Sequence, residues 1–146
     1  MLSPLQLDEY FIDNLKIETI YPQEKTDKKP VNNVKIEWDT FEYIGNKNLF
    51  KIIFNVKVNT DKKKKPKFGY VLELIASGIF SINQEDLEEK DKQGLISYNA
   101  PAILYSAMRG YISLITGNSF FGPLHIPTLN IMEIAKLQSK RKKKNL

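Results

Sequence analysis

The pattern of apolar and polar positions changes period near residue 83. Before it, apolar residues alternate. Phe50, Ile52, Phe54, Val56 and Val58 share one parity, with Lys51, Asn55, Lys57 and Asn59 on the other. That period of two is the mark of a half-buried strand. Val34, Ile36 and Trp38 alternate with Lys35, Glu37 and Asp39 in the same way, and Phe41 and Tyr43 then fall on the opposite parity. A one-residue slip near Thr40 predicts a bulge there. Leu5, Leu7, Phe11, Leu15 and Ile17 define a first strand over residues 5–20. Residues 68–82 are apolar on both faces, as a central strand requires, and Ser77-Gly78 is expected to bend it. Between the strands lie a polar connection from Tyr21 to Pro30, a turn at Gly45-Asn46-Lys47-Asn48 and a lysine-rich tip from Thr60 to Pro66. The lysine run reads as a solvated loop.

After residue 83 the spacing becomes helical. Asn83 is placed to cap a helix over Gln84 to Lys92, with Gly94 breaking it. Pro101 suits the first turn of a main helix, and Gly117-Asn118 ends it. Leu124 to Asn130 reads as an extended return. Ile131, Ile134, Ala135 and Gln138 predict a short last helix over Ile131 to Ser139. Strands followed by helices give an α+β domain, an antiparallel sheet with a long helix and a short C-terminal helix on one face. One domain over residues 1–139 and a disordered basic tail over 140–146 are expected.

From Gln93 to Met132 the sole formal charge is Arg109, although charged residues make up 27% of the chain. A helix apolar on all sides needs cover on all sides. A chain of 146 residues is small for wrapping it alone, which predicts an oligomer. The residues expected at that interface are Ile103, Leu104, Ala107, Met108, Tyr111, Ile112 and Ile115. A membrane span is not expected, because Ala102 to Thr116 is about 15 residues, short of the roughly 20 a bilayer needs.

The net charge of +5 changes meaning once located. The run Lys140-Arg141-Lys142-Lys143-Lys144 carries five positive charges, so the remainder of the chain is neutral overall. Specific nucleic-acid binding is therefore not expected of the body, since such domains carry their charge across a folded face. With no cysteine there is no disulfide frame, thiolate metal site or cysteine nucleophile. No basic start and apolar run marks a signal peptide, and a cytoplasmic location is expected. The single histidine, His125, sits between apolar residues and prolines without a triad or metal pattern around it. The acids from Glu85 to Asp91 read as a solvated helix face. No phosphate loop, nucleotide fingerprint or nucleophile elbow is present, and neither catalysis, a cofactor nor a metal is expected. What remains is surface for binding polypeptide: strand edges for main-chain pairing and apolar side chains for non-directional contact.

Several segments, in order, resemble the SecB-type export chaperones. Tyr70-Val71-Leu72-Glu73-Leu74-Ile75-Ala76-Ser77-Gly78-Ile79-Phe80 is similar to that family's fourth strand. Asn99-Ala100-Pro101-Ala102-Ile103-Leu104-Tyr105-Ser106-Ala107-Met108-Arg109 resembles its main helix. Ser119-Phe120, Leu124-His125-Ile126 and Leu129-Asn130 resemble its helix exit and return, and Leu5-Gln6-Leu7 with Leu15-Lys16-Ile17-Glu18 its first strand. The resemblance implies a four-stranded sheet with helices behind it and a homotetramer built as a dimer of dimers. It also implies an ATP-independent holdase for unfolded polypeptides or preproteins. Docking to a SecA-type motor would use acids matching Glu18 and Glu73. The chain departs from the family in having Gly110 where an acid usually follows the arginine, His125 for an asparagine, Asn14 for an acid, and a basic rather than acidic tail. Related SecB-like chaperones protect an antitoxin, which is the alternative client. A basic-tailed RNA- or ribosome-associated protein is a further alternative. The residues expected to bind client are Ile17, Ile20, Tyr21, Ile36, Trp38 and Phe41 of the first two strands and their connection. Ile134 and Leu137 of the last helix are expected to complete a groove.

Overall fold

The computed structural model describes residues 1–83 and 86–144. Four strands, β1 (Leu5–Ile20), β2 (Val34–Tyr43), β3 (Asn46–Val58) and β4 (Gly69–Ile82), form one antiparallel sheet in the order β1-β4-β3-β2. β3 and β4 are central, which explains why β4 is apolar on both faces. β3 carries Phe50, Ile52, Phe54, Val56 and Val58 on its buried face, as the alternation predicts.

Bulges fall where the sequence pattern does not put them. In β1, Leu5 and Leu7 oppose Ile82 and Phe80. An extra residue, Asp8, then shifts the register so that Tyr10 and Ile12 oppose Gly78 and Ala76. A second, Asp13, shifts it again in the same direction, and Leu15 and Ile17 oppose Leu74 and Leu72. The two shifts add to a full two-residue period, so both strand ends keep the expected parity while Phe11, opposite Ser77, stands on the other face. β2 pairs regularly from Val34 to Glu42, and its irregularity lies between Glu42 and Tyr43 rather than near Thr40. Phe41 thus belongs to the outer face, opposite Lys51. The β2–β3 turn is narrower than expected, with Gly45 at φ 84° and β3 already begun at Asn46. β4 keeps its register with β3 through Ser77-Gly78. Gly78 serves close packing. A Cβ there would lie 2.9 Å from the Phe80 ring, 3.0 Å from Leu7 and 3.3 Å from Leu104.

Helix α1 (Glu89–Gly94), a π-helical turn (Leu95–Asn99) and α2 (Ala100–Thr116) form one continuous rod. Helix therefore starts at Glu89, later than the predicted cap at Asn83; Gln84 and Glu85 lie outside the described residues. Gly94 does not break the rod, for its backbone is helical at φ −62°, ψ −42°. The disturbance comes from Pro101. Proline lacks an N–H and crowds the carbonyl four residues back. The wider turn just ahead of it, closed by Ala100 N–H on the Leu95 carbonyl, absorbs that misfit.

α2 lays Leu104, Met108 and Ile112, one every four residues, onto the sheet, where all three are fully buried. Each such side chain contributes about 1.5–3 kcal/mol of burial. The Tyr105 ring stacks on Phe54 at 5.9 Å, and Phe54 on Trp38 at 5.2 Å. These contacts correct the interface expectation. Leu104, Met108 and Ile112 are engaged within their own chain and are not free to meet a second copy. The other side of α2 presents Ile103, Ala107, Gly110 and Leu114, with Ile103 40% and Leu114 78% exposed. Tyr111 and Ile115 lie half-buried at its margins. No helix among the described residues is long and apolar enough to cross a membrane.

Three polar side chains of α2 hold the return segment. The Thr116 hydroxyl donates to the Ile112 carbonyl at 2.6 Å and accepts the Leu124 N–H at 2.7 Å. The Tyr105 hydroxyl donates to the Pro127 carbonyl at 2.6 Å, and Arg109 Nε to that of Ile126 at 2.9 Å. Burial pushes the Tyr105 hydroxyl above its ordinary pKa, while the neighbouring Arg109 pulls it down. Asn130 Oδ1 then accepts the Glu133 N–H at 3.1 Å and caps α3 (Ile131–Lys144). α3 is longer than predicted. Residues 140–144, expected to be a disordered tail, are its last turns, and residues 145–146 lie outside the described residues. Thr116→Val keeps the shape of this fully buried side chain but leaves the Leu124 N–H unpaired. It should lower unfolding free energy by about 1–3 kcal/mol in urea titration.

Candidate functional site

β2 is an edge strand, and an edge strand leaves one row of main-chain donors and acceptors without a strand partner. α3 runs beside it. Gln138 Oε1 accepts the Trp38 N–H at 3.1 Å, and Lys142 Nζ lies 3.0 Å from Asp39 Oδ1. Between β2 and α3 opens a cleft of about 600 Å³. Val34, Ile36, Trp38, Leu129, Ile134 and Leu137 give it apolar walls, and Lys35, Glu37, Arg141 and Lys142 a charged rim. Leu137 is 55% exposed at the mouth. Asn55 also lines the cleft, though its Oδ1 is itself buried and has no hydrogen-bond partner among the described residues.

Of the expected client-binding residues, Ile36, Trp38, Ile134 and Leu137 come together here. Ile17, Ile20 and Tyr21 do not. They belong to β1 or follow it, on the opposite edge of the sheet, where the Tyr21 ring meets Phe120 at 4.9 Å. Phe41 is half-exposed on the outer sheet face, beyond the cleft. Gln138 and Asn55 were not anticipated as site residues. Helical spacing places Gln138 on the packed side of α3, but no sequence signal marks its partner as the Trp38 main chain.

The outer sheet face is mixed in charge. Glu73 stands in register between Lys16 of β1 and Lys57 of β3, and Glu18 lies opposite Val71. Lys57 Nζ is also 3.6 Å from Glu37 Oε1. His125 is exposed, with Nδ1 3.3 Å from the Ser113 hydroxyl of α2. Among the described residues no group of three His, Cys, Asp or Glu side chains is placed to hold a metal ion.

The four strands in the order β1-β4-β3-β2, with the helices on one face, make an α+β domain with an apolar cleft at an edge strand. The chain belongs to the SecB family: the family model described as preprotein translocase subunit SecB matches residues 2–142. It is 26% identical over 91 residues to Protein-export protein SecB of Anaplasma phagocytophilum (strain HZ), covering 62% of this chain and 56% of that protein. To its namesake in Ehrlichia canis (strain Jake) it is 26% identical over 92 residues, covering 59% and 52%. The chain thus spans little more than half the length of these curated relatives. The fold is that of the Mycobacterium tuberculosis SecB-like chaperone Rv1957, solved in complex with a ChAD peptide from the antitoxin HigA1. The TM-score is 0.59 at 12% identity, over 86% of this chain and 87% of that one.

The Gln138 amide is what keeps the Trp38 N–H occupied. Gln138→Ala should speed hydrogen exchange at the Trp38 amide by roughly fivefold, matching the ~1 kcal/mol of one neutral hydrogen bond, and leave the β3 and β4 amides unchanged.

Proposed function

We propose that this chain is an ATP-independent holdase that takes extended, apolar segments of non-native polypeptide along β2. The observation that carries this reading is the cleft itself. Apolar side chains of Ile36, Trp38, Ile134 and Leu137 face an edge strand whose Trp38 N–H is held by a side chain and not by a strand. A client strand can take over that main-chain bond while its side chains fill the walls. Binding and release need no covalent step and no nucleotide. Several clefts on one assembly would raise the overall affinity for a long client by effective concentration.

The assembly proposed is a homotetramer, a dimer of dimers as the family implies. Its support is the uncharged outer side of α2, where Ile103, Gly110 and Leu114 lie uncovered in the single chain and Ala107 is half-buried between them. Leu114→Lys should lower the sedimenting mass. A wild-type particle of 16.9 kDa would remove the oligomeric reading.

Between the two classes of client, the mixed outer face favours the antitoxin-type reading over motor-coupled export. Glu73 between two lysines makes a poor start to an acidic docking patch. The solved relative with an antitoxin peptide supports the same preference. A cytoplasmic, cofactor-free protein follows from either. In the test, an aggregating unfolded protein is diluted into the full-length chain without nucleotide. Aggregation should fall at near-stoichiometric ratios, and Ile134→Asp with Leu137→Asp should abolish most of the effect while the circular dichroism spectrum is kept. No suppression in large molar excess would sink the general holdase.

A further inference from the structure

The neutral body hides a strong local imbalance. Residues 21–35 and 60–67 hold nine lysines and three acids, a surplus of six. The whole chain's surplus is +5, so everywhere else acids outnumber bases by one. All nine lysines are exposed.

The fold gathers these two segments at one end of the sheet. Ile20 opposes Gly69 and Val34 opposes Val58, so the β1–β2 connection and the β3–β4 tip leave the sheet side by side. Asn59 locks them together from a left-handed backbone at φ 58°. Its N–H donates to the Asn33 carbonyl at 2.9 Å, and its Oδ1 accepts the Asn33 N–H at 2.8 Å. Its Nδ2 donates to Asn32 Oδ1 at 3.1 Å and to the Tyr70 carbonyl at 2.8 Å. Of the three acids, Asp61 is already engaged, accepting the Lys63 N–H at 3.0 Å and lying 3.9 Å from Lys35 Nζ.

Apolar side chains emerge at the same end. Tyr21 is 63% exposed, Phe120 59% and Val31 86%. We propose that this end of the sheet is a docking surface for an anionic phospholipid membrane, with the lysines in the headgroup field and Tyr21, Phe120 and Val31 at the interface. Three observations choose lipid over RNA. The positive charge is all lysine, point charges without the planar fork that arginine uses for bidentate phosphate and base recognition. The rings pack edge-to-face, Tyr21 on Phe120 at 76° and Phe120 on Phe121 at 85°, a cluster and not the row of parallel platforms on which successive bases stack. Val31 is aliphatic and offers no stacking face. The surface meets the β2–α3 cleft only at Lys35, which also stands in the cleft's rim, and the proposal does not rest on the holdase reading.

Each lysine within the field of an anionic leaflet strengthens adsorption by about fivefold. The test is co-sedimentation of the full-length protein with vesicles of phosphatidylcholine containing about a third phosphatidylglycerol. Binding is expected at low salt, loss at high salt, and none to pure phosphatidylcholine. Substituting Lys62, Lys63, Lys64 and Lys65 together by Gln should weaken it by more than about tenfold. These solvent-facing changes leave the sheet intact, which thermal unfolding would verify. Equal binding to the neutral vesicles, or an unchanged quadruple variant, would overturn the proposal. So would loss on Lys140→Gln with Arg141→Gln instead, or tighter binding to poly(U) than to the anionic vesicles at equal phosphate.

Discussion

The geometry of the cleft depends on how one helix grips the chain that follows it. α2 is nearly free of charge, yet three of its side chains carry polar atoms that all serve one task. Thr116, Tyr105 and Arg109 take the Leu124 N–H and the carbonyls of Pro127 and Ile126, main-chain groups of a segment with no secondary structure of its own. Leu124 and Ile126 meanwhile press into the core. Buried main-chain groups need partners, and here α2 supplies them. The return is thereby fixed in place, and α3 starts where Asn130 caps it, beside β2. Arg109, the one charge in an apolar stretch, is thus structural. It also lies 6.0 Å from the Tyr105 ring centroid, so cation and ring support each other.

The strands of the sheet were legible because alternation reports burial directly. The buried face of β3 reads correctly for that reason, as does the central place of β4, while the start of β3 lies earlier than its pattern shows. What was not legible is anything set by a partner rather than by a residue. Two bulges in β1 leave the end parities intact, so Phe11 changes face without a trace in the overall pattern. The uninterrupted rod through Gly94 was misread because glycine weakens a helix without forbidding it, and a packed neighbour outweighs roughly 1 kcal/mol of propensity. At the cleft, spacing marked Ile36, Trp38 and Ile134 as apolar-face positions but did not separate cleft from core, and Ile17, Ile20, Tyr21 and Phe41, expected beside them, lie elsewhere. Gln138 and Asn55 could not be named as site residues, since their importance lies in what they face. The same limit applies to charge: a count over residues 1–139 reads neutral, while Asn59 helps to fold a surplus of six onto one end.

These features divide the molecule by chemistry. The core face of the sheet is closed by α2, the β2 edge is covered lightly by α3, and the lysine-rich end adjoins that edge at Lys35. The outer sheet face carries paired charges of both signs, which cancel at a distance and screen one another nearby.

On the proposed reading, the strength of α3's hold decides whether the cleft can work. Gln138 to Trp38 is one neutral hydrogen bond, worth about 0.5–1.5 kcal/mol net. Lys142 to Asp39 is a solvent-exposed ion pair, worth about 0–1 kcal/mol. Displacing both costs a client about 1–2 kcal/mol, near a tenfold loss in affinity. A strand that re-forms the Trp38 bond recovers most of the first term. Each large apolar side chain it buries then contributes about 1.5–3 kcal/mol. One or two such side chains per segment suffice to open the latch, whereas a polar segment has nothing to set against it. Selection for apolar, extended chain therefore follows from the weakness of two contacts, and a stronger latch would make the cleft more stable and less useful.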